Sequence, residues 1–187
     1  MDKKFIQNYL NNITKLISAS SEIIADLVHV KDVLVTASDN GKKVIIVGNG
    51  GSAAMSSHVS VDLTKNAGIR CINFNETDLI TCFANDYGYE KWIEKAVEFY
   101  GDERDVFIGI SSSGSSENIL NGCLAARKKN FSKVITLSGM NSENPIRKLG
   151  DINLWVNSKA YNHIENIHQF WLLAIVDVII GRSEYPA

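Results

Sequence analysis

The chain has 187 residues, of which 45% are hydrophobic and 21% charged, and its formal net charge at pH 7 is -2. That length suits one domain with a sizeable core, and the charge provides no general attraction to nucleic acids or anionic membranes. The sequence contains three scattered cysteines, Cys71, Cys82 and Cys123, without a Cys-x-x-Cys pair, so we expect reduced, buried thiols. We find neither a signal peptide nor a run of ~20 apolar residues, and we therefore expect a cytoplasmic protein that does not enter membranes.

Strand-like apolar runs alternate with segments of helical periodicity along most of the chain. In chain order we predict helices over about 5–18 and 21–37, a strand at 44–47, a helix at 55–65, a strand at 70–74, helices at 78–85 and 89–100, a strand at 105–110, a helix at 119–129, a strand at 133–138, a short helix at 144–149, a strand at 151–156 and a long helix at 162–180. This alternation predicts a single α/β domain over 1–187 with a parallel sheet flanked by helices on both faces. The helical segment 1–40 is expected to pack on that core, and the apolar last helix to be buried partly by another subunit.

The first strand runs directly into a glycine-rich turn, Gly48-Asn49-Gly50-Gly51-Ser52, which is followed by a helical segment. Glycine permits positive φ and close backbone approach, and Ser52 is placed to cap the helix or to donate its hydroxyl to a ligand. Backbone N–H groups and the positive end of a helix dipole would then converge on an anion such as phosphate. Since the turn matches neither the dinucleotide fingerprint nor the P-loop, a tight turn without a ligand is an equal alternative for this segment alone.

A serine-rich turn follows the strand predicted at 105–110. Five serines occupy six positions in Ser111-Ser112-Ser113-Gly114-Ser115-Ser116, and a helical pattern comes next. A flexible serine-rich linker is the alternative, but strand and helix flank the segment too closely for it. Two such turns in one α/β chain indicate a single phosphorylated ligand at the carboxyl ends of parallel strands.

The combination of these turns resembles a known family, the sugar isomerase (SIS) domain proteins, and within it the phosphoheptose isomerases. The matching segments cover nearly the whole chain: Gly48-Asn49-Gly50-Gly51-Ser52 with His58 and Leu63, then Ala84-Asn85-Asp86-Tyr87-Gly88-Tyr89, Gly109-Ile110-Ser111-Ser112-Ser113-Gly114 and Leu137-Ser138-Gly139. The resemblance implies a homotetramer with active sites built between subunits. It also implies aldose–ketose isomerisation of a sugar phosphate in carbohydrate metabolism, supplying lipopolysaccharide or capsule synthesis.

In phosphoheptose isomerases, a histidine and a glutamate four residues later lie on the helix after the glycine turn. A glutamine and a second histidine eight residues later lie on the last helix; the four together resemble a zinc site, and the glutamate and second histidine are the usual acid–base pair. Here His58 matches the first histidine, Asp62 replaces the glutamate, Glu165 replaces the glutamine and Leu173 replaces the second histidine. Leucine can neither bind a metal nor transfer a proton.

Substitutes for the missing groups lie on the same last helix. Glu165 and His168 are at i, i+3 and face nearly the same way, so that Glu165 or Asp62 would serve as base with His168 or His58 as partner. Alternatively, His58, Asp62 and Glu165 would bind a metal ion, with zinc left open against no metal. Glu165 and His168 also have interpretations without a catalytic role. His168 would be a core or interface histidine, and Glu165 would be a carboxylate stabilised by the dipole of its helix.

The sequence thus predicts a sugar-phosphate aldose–ketose isomerase, acting on sedoheptulose 7-phosphate or a related phosphosugar through an enediol and without a nucleotide cofactor. The alternative is a non-catalytic phosphosugar-binding regulator or assembly factor; a module that binds protein or nucleic acid has only fold analogy behind it. The residues predicted to bind the substrate and its phosphate are Asn49, Gly50, Gly51, Ser52, Asn85, Asp86, Ser111, Ser112, Ser113 and Ser116.

Overall fold

A computed structural model describes residues 1–18 and 20–185. Seven α-helices and five strands follow one another as α1 (Asp2–Ile17), α2 (Ser21–Asp39), β1 (Val44–Val47), α3 (Gly51–Lys65), β2 (Cys71–Ile72), α4 (Thr77–Tyr87), α5 (Trp92–Tyr100), β3 (Val106–Ser111), α6 (Glu117–Lys128), β4 (Lys133–Ser138), β5 (Ile152–Trp155) and α7 (Tyr161–Ile180) among the described residues, with a 3-10 helix at Pro145–Lys148 before β5.

The five strands form one parallel sheet in the order β2-β1-β3-β4-β5. After β1 the chain adds β2 on one side, and it then returns to build β3, β4 and β5 on the other. A parallel sheet of this order has a crevice where the direction of winding changes, at the carboxyl ends of β1 and β3. Both the glycine turn and the serine turn leave the sheet at this crevice.

Side chains alternate between the two faces of the sheet, as the pleat of a strand requires. On one face Ile46 and Ile108 pack with residues of α2, α3 and α7, and on the other Ile45 and Phe107 pack with residues of α5 and α6. The predicted α/β architecture with helices on both faces is confirmed.

A buried ion pair joins β1 and β3 at the amino end of the sheet. The carboxylate of Asp105, which is 1% exposed, accepts hydrogen bonds from the backbone N–H groups of Lys43 (3.0 Å) and Asp102 (2.8 Å). It also lies 2.6 Å from Lys43 Nζ. Burial alone would lower the pKa of Lys43, but its hydrogen bonds to Asp102 and Asp105 outweigh that effect and raise it. The beginnings of the two strands are therefore fixed together.

Helix α7 packs against α2 and α3, with Ile164, Ile167, Trp171 and Ile175 buried in the core. We expected no segment long and apolar enough to span a membrane, but α7, with 20 residues and a mean hydropathy of 1.2, satisfies the length and composition of such a span. Because 44% of its apolar stretch is buried inside the protein, a core helix explains the same composition.

Local chemistry accounts for the ends of two helices and for the state of the cysteines. Ser20 caps α2 by accepting a hydrogen bond from Ile23 N–H (3.3 Å), and Gly181 ends α7 with φ 82°. Cys71 and Cys123 are buried, and burial raises the pKa of both thiols, that of Cys123 to about 12. The prediction of a buried thiol is wrong for Cys82, which is exposed on α4.

Candidate active site

The glycine turn brings the backbone of β1 tightly against the start of α3. A Cβ atom on Gly48 would lie 2.6 Å from Cβ of Ser52, so only glycine fits, and Gly50 has φ 54°. The prediction that Ser52 caps this helix is wrong: α3 begins at Gly51 with Gly50 as its N-cap, and no side chain of the described residues bonds to that cap. Ser52 lies buried in the first turn. Ser52 and Ala53 donate their N–H groups to the carbonyl oxygens of Asn49 and Gly50, both at 3.0 Å, whereas the N–H of Gly51 has no hydrogen-bond partner among the described residues. The N–H of Gly51 is therefore the one at the start of α3 that is available to a ligand.

The serine turn has a similar construction at the end of β3. Gly114, with φ 70°, donates its N–H to the carbonyl oxygen of Ser111 at 2.8 Å. The hydroxyls of Ser111 and Ser116 lie 3.0 Å apart, and Ser116 is the N-cap of α6 without a side-chain cap bond from the described residues. A second helix N-terminus thus points into the crevice.

Between the two turns lies a small cavity, which we call the cradle, of about 120 Å³. Ser112 Oγ is buried and has no hydrogen-bond partner among the described residues, so its hydroxyl is ready to bind a ligand. A volume of this size holds a phosphate group but lies below the ~300 Å³ of ordinary small-molecule pockets, so the rest of a ligand must extend beyond it. The cradle is lined by Asn49, Ser52, Ile110, Ser111, Ser112, Ser113, Ser116, Tyr161 and Glu165.

Glu165 reaches the cradle from α7, and its carboxylate lies against Gly51 at the N-terminus of α3. A Cβ atom on residue 51 would be 2.9 Å from Cδ and 3.2 Å from Oε1 of Glu165. A carboxylate at this end of a helix is stabilised by the helix dipole. It is also the only carboxylate that lines the cradle in the part of the chain that the structure describes.

The structure contradicts the prediction that His168 acts beside Glu165. The ring of His168 is completely buried, and Nε2–H donates to the carbonyl oxygen of Ser138 at 3.0 Å. Burial lowers the pKa of His168 to about 4, against the weaker effect of the Ser138 hydrogen bond, so the ring is neutral. Three residues along a helix leave side chains about 60° apart, and that rotation directs Glu165 to the cradle and His168 into the core.

His58 and Asp62 share one face of α3, and Nε2 of His58 lies 3.2 Å from Oδ2 of Asp62. Nδ1 of the same ring lies 3.2 Å from Nε2 of Gln169 on α7. Neither residue lines the cradle. Within residues 1–18 and 20–185 no three His, Cys, Asp or Glu side chains are grouped to hold a metal ion. The described part of one chain therefore does not assemble the predicted metal site of His58, Asp62 and Glu165, and Leu173 packs against the core.

Asn85 and Asp86 form the exposed end of α4, with Asn85 Nδ2 donating to Asp86 Oδ1 at 2.9 Å. They do not line the cradle. Gly88 ends the helix with φ 89°, and the hydroxyl of the next residue, Tyr89, lies 3.1 Å from Oδ1 of Asn49. This segment is therefore joined to the glycine turn by one side chain.

The sequence analysis missed two residues of the site, Asn118 and Tyr161. Asn118 is 2% exposed and exchanges two hydrogen bonds with Asn49, of 3.0 and 2.8 Å. An asparagine just inside a helix N-terminus, two positions after Ser116, was the available signal for it. Tyr161 begins α7 and offered no such signal.

Comparison with known proteins places this geometry among relatives. A family model described as SIS domain matches residues 8–139. The chain is 31% identical over 186 residues to the phosphoheptose isomerase of Sulfurimonas denitrificans, covering 95% of this chain and 94% of that protein, and 32% identical over 173 residues to that of Helicobacter pylori, covering 89% and 88%. The structure of a phosphoheptose isomerase from Francisella tularensis superposes with a TM-score of 0.86 at 26% identity, over 97% of this chain and all of that one.

Proposed function

The chain belongs to the SIS domain family and, within it, to the phosphoheptose isomerases, and on that premise we propose that it interconverts sedoheptulose 7-phosphate and D-glycero-D-manno-heptose 7-phosphate, or a related ketose–aldose pair. The observation that carries this proposal is the cradle, in which two helix N-termini and a set of serine hydroxyls face one carboxylate.

The serine turn holds the phosphate. Helix N-termini favour a dianion, and the hydroxyls of Ser111, Ser112, Ser113 and Ser116 donate hydrogen bonds without adding positive charge, which suits a ligand that must be released. Ser112 supports this role most directly, because its buried hydroxyl has no partner among the described residues.

The sugar extends from the cradle past Glu165. His58 lies seven residues after Gly51 on α3, which is about 10 Å at the rise of an α-helix. An open-chain heptose is long enough to span that distance. Two carboxylates therefore lie along its path, Glu165 at the cradle and Asp62 beside His58.

The reaction moves one proton between neighbouring carbons. A base removes a proton from C1 of the ketose, the electron pair forms the C1=C2 bond of an enediol, and the C2 oxygen gains a proton. Return of a proton to C2 with loss of the O1 proton gives the aldose. The reacting carbons C1 and C2 lie at the end of the heptose opposite its C7 phosphate, so a group in the cradle reaches them only when the open chain folds back toward the phosphate. For that bound conformation we assign the base to Glu165, the carboxylate that lines the cradle, and the donors toward the developing oxyanion to the Asn49 amide and the Ser52 hydroxyl. For an extended chain the base is Asp62, which lies farther along α3.

Proton NMR in heavy water with sedoheptulose 7-phosphate tests this assignment. We expect the wild-type protein to lose the C1 proton signal, and Glu165→Gln to bind the phosphosugar but to leave that signal intact. Glu103→Gln, at the exposed amino end of β3, is the matched control and retains activity. If Glu165→Gln exchanged the C1 proton fully and Asp62→Asn did not exchange it, the base would be Asp62. Repeating the measurement with added zinc and with a chelator tests whether the reaction requires a metal ion.

A non-catalytic phosphosugar-binding regulator is the second candidate, favoured by Leu173 and by the burial of His168 away from the cradle. It predicts saturable binding of the phosphosugar without exchange of the C1 proton.

We further propose that the protein is a cytoplasmic homotetramer and that its product supplies lipopolysaccharide or capsule synthesis. Exposed apolar side chains of α7, Phe170 and Val178, support a subunit contact.

A further inference from the structure

We propose that Tyr89 is a positioning residue that ties the Asn85–Asp86 end of α4 to the cradle and thereby sets how the sugar end of the substrate is held. This inference rests on the proposed function, because it concerns the part of the phosphosugar that extends beyond the cradle. It depends on a chain of hydrogen bonds that begins at the backbone of α6.

The first link fixes the orientation of the Asn118 amide. Ile119 N–H, which can only donate, bonds to Asn118 Oδ1 at 3.1 Å. Asn118 Nδ2 must then face Asn49, and it donates to Asn49 Oδ1 at 2.8 Å, while Asn49 Nδ2 donates back to Asn118 Oδ1 at 3.0 Å. One backbone N–H thus determines the orientation of both amides.

The second link follows from the first. Because Asn49 presents its oxygen, the Tyr89 hydroxyl at 3.1 Å must be the donor. A phenol has one proton to donate, so the outward side of the Tyr89 oxygen can only accept, as from a sugar hydroxyl. Asn49 Nδ2 donates one of its two hydrogens to Asn118 Oδ1, and its second hydrogen can be donated to a ligand in the cradle that Asn49 lines.

The turn that carries Tyr89 is anchored at two points. Asn121 Nδ2 of α6 donates to the carbonyl oxygen of Glu90 at 2.8 Å, and Tyr89 bonds to Asn49. The ring of Tyr89 is 56% exposed, so its apolar burial contributes little to the attachment. The hydroxyl therefore connects the end of α4 to the glycine turn across 40 residues of sequence.

Tyr89→Phe removes this hydroxyl and keeps the ring. We expect the Kd for sedoheptulose 7-phosphate, measured by calorimetry, to rise roughly tenfold, as for the loss of one hydrogen bond to a shielded acceptor. The Kd for inorganic phosphate, which occupies the cradle alone, should stay within about twofold. Backbone amides of residues 85–90 should exchange with heavy water about tenfold faster in the ligand-free variant. Tyr100→Phe, whose ring packs on Phe74 with centroids 5.6 Å apart, is the control.

Loss of affinity for the phosphosugar alone would support the positioning role. An unchanged affinity, or an equal loss for both ligands together with a lower melting temperature, would overturn it. A wild-type protein that binds inorganic phosphate but no phosphosugar would instead refute the proposed function. In that case, faster exchange of residues 85–90 in Tyr89→Phe would still support the tie to Asn49, and unchanged exchange would overturn it.

Discussion

Replacing Gly51 by alanine tests whether the position of the Glu165 carboxylate controls turnover. The added Cβ would lie 2.9 Å from Glu165 Cδ, whereas carbon atoms rest about 3.5 to 4.0 Å apart. Glu165 must therefore retreat by about 1 Å, and a displacement of this size at a reacting group costs ~100-fold in rate. Gly51 is the first residue of α3 and does not have positive φ, so we expect alanine to fold normally.

Two measurements separate this effect from general damage. The first is the rate of C1 proton exchange, expected to fall ~100-fold in Gly51→Ala while the melting temperature stays the same or rises, because alanine favours helix over glycine by ~0.5–1 kcal/mol. The second is the double variant with Glu165→Gln, in which the added methyl should change the small residual rate hardly at all. The reasoning would be refuted if Gly51→Ala kept wild-type exchange, or if it lowered the rate equally in both backgrounds.

Two further predictions concern single side chains of the cradle and the core. Ser112→Ala should raise KM for the phosphosugar about 10- to 100-fold, the cost of one hydrogen bond to a charged group, without loss of thermal stability; unchanged KM in steady-state kinetics would exclude Ser112 from the phosphate site, and Ser132→Ala at the far end of the sheet is the control. His168 has a folded-state pKa of about 4, below the ~6.5 of an unfolded chain, so the unfolded state binds more protons between these values and stability should fall by roughly 3 kcal/mol as the pH is lowered from 7 to 4. His168→Gln keeps an N–H donor for Ser138 and should lose this dependence in urea unfolding while retaining kcat; an identical pH dependence in both proteins would contradict the assignment.

The elements of the fold were predictable wherever local pattern and burial agree. The strand Lys133–Ser138 has the predicted bounds, because an apolar run in a parallel sheet is buried on both faces. The strand predicted at 70–74 is reduced to Cys71–Ile72. Beyond it, Asn75 donates instead to the carbonyl oxygen of Ala53 at 2.7 Å, so side-chain bonds to α3 replace further pairing at the sheet edge.

The candidate site was predictable only in part. The two turns were predictable from their glycine and serine residues, because these residues favour turns and expose N–H and hydroxyl donors. The first half of the last helix carries polar side chains on several faces. Its pattern therefore gives no indication that Glu165 faces the cradle whereas His168 faces the core. Contacts such as Asn49 with Asn118 span 69 residues and depend on the pairing of β1 with β3, which no local pattern specifies.

The pairing of β1 with β3 also couples ligand binding to folding, because the ligand binds only when these strands are paired. The glycine turn and the serine turn belong to segments that meet only when these two strands are side by side, clamped at the other end by Lys43 and Asp105. A chain in which the strands have separated retains both turns but no cradle. Phosphosugar at 100 times its Kd would therefore add ~2.7 kcal/mol to the free energy of unfolding. During synthesis, the complete binding site forms only after Glu165 of α7 has left the ribosome.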